Sequence, residues 1–170
     1  IFLEMPKNWK FEVIHDLDFF NSLKLPDSQK RFTPTCHYQK YLEIMATCDI
    51  CFLPLNDNDF NNYKSDLKAL EAGSFGLALL ASPVVYSENF KNNVNASFFN
   101  SEESLKNTLI SWINNPIEVR RLGTNAQEYI AKNRLLCYQV NERKKWYNEL
   151  WSKKKELTKM IYNRESILVD

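Results

Sequence analysis

Lys64, Ser65, Lys68 and Glu71 are the side chains here whose types and spacing suit a ligand. Lys64, Lys68 and Glu71 are separated by four and three residues, which puts them on one face of a helix. If that helix starts at Ser65, two ammonium groups lie beside backbone N–H groups and the positive end of the helix dipole, an arrangement that attracts an anion. A carboxylate further along can accept two hydrogen bonds at once from neighbouring hydroxyls. Together these groups suit an anionic, hydroxyl-bearing ligand such as a nucleotide. The plainer reading is a solvated helix face with a Lys68–Glu71 pair and Ser65 as its N-cap.

Three further patterns compete for chemistry. Cys48-Asp-Ile-Cys51, with Cys36-His37 upstream, has the spacing of a zinc site. Cys51, however, sits inside the run Ile50-Cys-Phe-Leu53, where a free cysteine behaves as a small apolar residue. Zinc pairs sit on turns that bring both sulfurs to one point, so no metal is assigned. Asp16-Leu-Asp18 and Asp57-Asn-Asp59 each place two carboxylates after a strand-like run, where they can hold Mn²⁺ or Mg²⁺ against a diphosphate. The stretch Asn56 to Asn62 is nevertheless composed like an ordinary loop. Asn95-Ala-Ser97 matches a glycosylation sequon, which means little without a secretion signal.

The elements that must position these groups follow from the hydrophobic pattern. Phe11 to Ile14 and Arg31 to Thr33 are strand-like runs, and Tyr38 to Thr47 has apolar groups at helical spacing. Asp49 to Leu55 is nearly continuous in apolar character, as a parallel strand covered on both faces requires. Ser65 to Ser74 reads as a helix with Leu67, Leu70 and Ser74 toward the sheet, ended by the Gly73-Ser-Phe-Gly76 turn, and Leu77 to Leu80 as the next buried strand. A short strand is expected at Ala96 to Phe99, and helices at Glu102 to Asn114 and Ile117 to Asn133, divided at Pro116. Leu135 to Tyr162 reads as one long helix bearing Tyr138, Trp146, Tyr147 and Trp151. Alternating strands and helices predict an α/β fold with a doubly wound parallel sheet. The expected division is residues 1–134 as a Rossmann-like domain and 135–170 as the C-terminal helix and tail.

With 22 basic and 21 acidic residues the chain has no global field of the kind nucleic-acid binding requires. No apolar run approaches the roughly 20 residues that span a bilayer. Four cysteines fit a reducing compartment, hence a cytoplasmic setting, better than a disulfide framework. Arg143-Lys-Lys145 and Lys153-Lys-Lys155 make the last helix basic, which reads either as a peripheral contact with anionic lipid or, given Glu142, Glu149 and Glu156, as a solvated face.

Pro54-Leu55, Lys64-Ser65-Asp66-Leu67-Lys68, Leu70-Glu71-Ala72, Gly76 and the strand ending Ala81-Ser82 resemble the nucleotide-sugar-binding half of the GT-B glycosyltransferases, in the broad group (group 1, family 4-like) that holds many bacterial polysaccharide-biosynthesis enzymes. The likeness continues through Ser101 to Arg134 and covers roughly Lys10 to Leu150. It implies a domain that binds a nucleotide-diphosphate sugar, with Glu71 as the ribose-binding glutamate and Lys64, Ser65 and Lys68 around the diphosphate. The implied partners are the donor, a saccharide or lipid-linked acceptor, and an N-terminal domain of the same protein; no cofactor or metal is implied. Many members of the group carry a second acidic residue eight positions before the ribose glutamate, and here that position is Tyr63, so no catalytic residue is assigned. A GT-B enzyme needs two Rossmann-like domains, and 170 residues hold one. The chain therefore reads as a piece of a longer enzyme that transfers no sugar alone. The alternatives are a non-catalytic interaction module and a metal-dependent GT-A-type transferase using the Asp-x-Asp pairs.

Overall fold

A computed structural model describes residues 6–165. The chain divides into two compact units, Ile1–Ala131 and Lys132–Asp170.

In the first unit five short strands run parallel in two groups. β1 (Phe11–Ile14) pairs with β2 (Lys30–Thr33), Phe11 opposite Lys30. β3 (Ile50–Leu53), β4 (Ala78–Ala81) and β5 (Ser97–Phe98) form the other group, with β4 central. Ile50 faces Ala78 and Leu53 faces Ala81. The helices of this unit are α1 (Leu17–Ser22), α2 (Tyr38–Met45), α3 (Asp59–Asn62), α4 (Leu67–Ser74), α5 (Glu102–Asn114) and α6 (Pro116–Asn133), the last of which runs on past the boundary. The architecture is α/β, as the alternating pattern predicts, although the strands form two ladders rather than one.

β4 explains why its residues are apolar without interruption. Successive side chains of a strand point to opposite faces, and both faces of β4 are covered. Leu79 and Ala81 pack with Met45, Ala69, Ala72, Phe90, Ala126 and Ile130. Ala78 and Leu80 pack with Leu105, Leu109, Trp112, Val119 and Leu122. α6 thus serves both cores, Val119 and Leu122 on one side of the sheet and Ala126 and Ile130 on the other. α5 opens on a reciprocal cap: Ser104 donates its N–H to Ser101 Oγ at 3.1 Å, and Ser101 N–H donates to Ser104 Oγ at 3.0 Å.

Two glycines set how closely these layers meet. Gly76 turns the chain from α4 into β4 with φ 77°, a region where a Cβ is disfavoured. A Cβ on Gly123 of α6 would lie 2.0 Å from the Gly76 carbonyl oxygen. The helix therefore rests directly on the turn behind α4.

The second unit holds a 3₁₀ turn (Leu136–Gln139), α7 (Val140–Ser152) and α8 (Lys154–Arg164). Of the single helix expected from Leu135 to Tyr162, α-helix begins only at Val140 and is interrupted at Lys153, whose ψ of 7° departs from the helical value. None of the described residues of α7 or α8 is buried, and Trp146, Tyr147 and Trp151 are exposed. No helix among the described residues is long and apolar enough to cross a membrane.

Candidate functional site

α4 starts where β3 ends, after a polar loop that contains α3. Its N-cap is Asp66, not Ser65, and its first helical residue is Leu67. The face expected for Lys64, Lys68 and Glu71 is therefore corrected: Lys68 and Glu71 lie on α4, whereas Lys64 belongs to the turn before it. The Lys64 ammonium lies 4.8 Å from the centroid of the Phe60 ring. Leu67, expected toward the sheet, is exposed, and α4 packs instead through Ala69, Ala72 and Gly73. Small residues on that side let the helix lie close to β3 and β4.

Asp66 does not cap with its side chain. Its carboxylate is buried and accepts from Asn89 Nδ2 at 2.9 Å, while its backbone carbonyl accepts from the Ala69 and Leu70 amides. Among the described residues no side chain is seen capping the first amides of α4, and the Asp66 carboxylate stands at the same end of the helix.

Glu71, one turn along, does not pair with Lys68; no ion pair between them is present among the described residues. Its carboxylate takes two phenols of α2 instead. Tyr38 Oη donates to Oε1 at 2.9 Å and Tyr41 Oη donates to Oε2 at 3.2 Å. The hydrogen bond to Glu71 raises the Tyr38 pKa, and burial, with the same carboxylate nearby, raises that of Tyr41. Both hydroxyls therefore stay protonated as donors at neutral pH. These tyrosines read from sequence as packing residues of a helix. The available signal was their spacing of three, which puts both hydroxyls on one side of α2.

The edge of the sheet is held by side chains from several elements. Ser82, just past β4, accepts the Leu55 N–H at 3.0 Å and so ties the start of the polar loop to the neighbouring strand end. Val85 has φ 67° and ψ −44°, with Tyr86 N–H bonded to the Val84 carbonyl at 2.8 Å. That three-residue turn is of the rarer, strained hand and is unusual for a β-branched residue. Nothing in the sequence marks it. It turns the chain after β4 toward Asn89, the partner of Asp66.

Several members of the rival constellations have structural roles. Asp16 caps α1 by accepting the Phe19 N–H at 2.8 Å. Asp57 accepts from Asn62 Nδ2 at 3.1 Å within its own loop, and Asp59 is the first residue of α3. Cys48 Sγ lies 3.4 Å from the Ile44 carbonyl. Burial pushes the Cys51 thiol up to about 12. All four cysteines are free, and among the described residues no three His, Cys, Asp or Glu side chains converge as metal ligands. Tyr63, in the position of the second acidic residue of the group, is almost fully exposed.

The family model described as Glycosyl transferase-like matches residues 3–142. The chain belongs to this family. Among solved structures, this glycosyltransferase domain is similar to the C-terminal domain of LpcC, a glycosyl transferase group 1 family protein from Francisella tularensis, with 19% identity and a TM-score of 0.64 over 79% of this chain and 74% of that one. It is also similar to Anabaena HepE solved with UDP-glucose, at 18% identity and TM-score 0.59 over 82% of this chain and 40% of HepE. TarM matches at 17% identity and TM-score 0.59, with 82% of this chain and 28% of TarM covered. The domain therefore has the fold of the C-terminal half of a GT-B glycosyltransferase and spans less than half of the HepE and TarM chains. No curated protein matches in sequence.

Proposed function

We propose that this domain is the donor-binding half of a glycosyltransferase that moves a sugar from a nucleotide diphosphate to a saccharide or lipid-linked acceptor. The start of α4, with Lys64 and Lys68, receives the diphosphate, and Glu71 accepts the two vicinal hydroxyls of the ribose. Charge stabilisation of the departing diphosphate then comes from lysines and backbone amides, with no metal required. The acceptor is held by a second domain.

The observation that carries this reading is the Glu71 carboxylate on α4, the helix that leads from the loop after β3 into β4, with each of its oxygens held by a tyrosine of α2. The presence of UDP-glucose in HepE, which shares the fold, supports a nucleotide-sugar donor.

Titration with UDP, GDP, dTDP and ADP tests it. One or more should bind, and Glu71→Gln should weaken that binding by about 1 to 3 kcal/mol, the scale of a charge-assisted hydrogen bond. A Glu71→Gln variant that binds all four as the native chain does would remove Glu71 from the site.

A further inference from the structure

We propose that Tyr38 and Tyr41 are positioning residues that aim the Glu71 carboxylate, so that preference for a ribose over a deoxyribose is set partly by α2. The inference rests on the reading of Glu71 given above.

A glutamate side chain on a helix surface turns about three bonds. To receive two adjacent hydroxyls it must present both oxygens together, and ordering it for that purpose costs rotational freedom. Here the two oxygens are held separately, Oε1 by Tyr38 and Oε2 by Tyr41. The two rings stack with centroids 6.0 Å apart and planes at 29°, so the donors form one platform. Tyr41 packs against the core cluster that contains Met45, Ala69 and Ala72, which anchors that platform to the base of α4.

The stoichiometry of lone pairs permits clamp and ligand together. Each carboxylate oxygen offers about two acceptor sites, so one phenol on each leaves one for each ribose hydroxyl. The phenols are also neutral. A lysine in their place would compete for the carboxylate as an ion pair, and it would no longer be available to a phosphate. The structure separates the two duties: tyrosines hold Glu71, and Lys68 remains exposed on the same helix.

The test compares the nucleoside diphosphate that binds tightest among UDP, GDP and ADP with its 2′-deoxy counterpart, by calorimetry on the 170-residue chain. Tyr38→Phe, Tyr41→Phe and the double variant keep both rings and remove only hydroxyls; Tyr38 is exposed, so its variant leaves the core untouched. The ribose form should lose roughly three- to tenfold in affinity in the double variant, with the deoxy form nearly unchanged, so that the ratio between them falls. Equal losses for both forms would mean a merely structural role and overturn the proposal. If Glu71→Gln abolishes the ratio but the double tyrosine variant keeps it, the positioning role is wrong and the ribose reading stands. If Glu71→Gln also leaves the ratio intact, both fail.

Discussion

Glu71, Lys64 and Lys68 differ in what their side chains meet. The carboxylate draws on phenols; Lys64 has the Phe60 ring beside it, and Lys68 stands exposed. The lysines are thus available to a phosphate, and Lys64→Ala or Lys68→Ala should weaken a nucleoside diphosphate roughly three- to tenfold while leaving the matching nucleoside almost unaffected. Equal losses for both ligands in calorimetry would point to a disturbed helix. At this scale the sequence was informative about what could be charged and uninformative about what it would meet. Glu71 is legible from its spacing to Lys68, but its partners come from a helix 30 or more residues earlier. Asp66 is a further instance: it reads as part of a polar run, yet it is buried because Asn89 arrives from beyond β4.

Elements were legible where a single physical rule dominates. β3 and β4 are continuous apolar runs because both faces are covered, and α5 begins where its Ser101 cap stands. Boundaries that no capping residue or breaker marks were not. The helix expected from Ser65 starts at Leu67, with Asp66 as N-cap, and the C-terminal helical stretch breaks at Lys153 with no proline or glycine to announce it. Gly123 lies in a helix interior, where glycine is costly by itself. Its reason is the carbonyl of Gly76, which a Cβ would meet at 2.0 Å. Gly123→Ala should therefore destabilise the domain by about 3 kcal/mol despite the better helix propensity of alanine, lowering the midpoint of thermal unfolding by roughly 6 to 12 °C. Gly76→Ala should cost about 1 to 2 kcal/mol, the strain of a left-handed non-glycine residue. Wild-type melting of Gly123→Ala would mean that α6 does not rest on the turn as described.

At the scale of the chain, the candidate site belongs to the first of its two units. The chain spans 40% of the HepE chain to which it is similar. The fold was legible at this scale because the order of strands and helices and the family's motifs agree; the splitting of the strands into two ladders was not, since no local pattern specifies which strands pair. A donor site on one domain needs an acceptor site opposite before a bond can be made, because transfer requires both reactants in near-attack geometry. The purified 170-residue chain should therefore bind a nucleoside diphosphate and transfer no sugar from a nucleotide-sugar mixture to any acceptor offered. The same sample separates the two transferase architectures. With lysines and helix amides neutralising the diphosphate, EDTA should leave affinity nearly unchanged, and Asp57→Asn with Asp59→Asn should bind like the native chain. If the aspartates instead hold a divalent ion, chelation would leave carboxylates facing phosphate and abolish binding. Loss of affinity in EDTA that Mn²⁺ restores would require a site other than the one built on α4, and sugar transfer by this chain alone would overturn the need for a second domain.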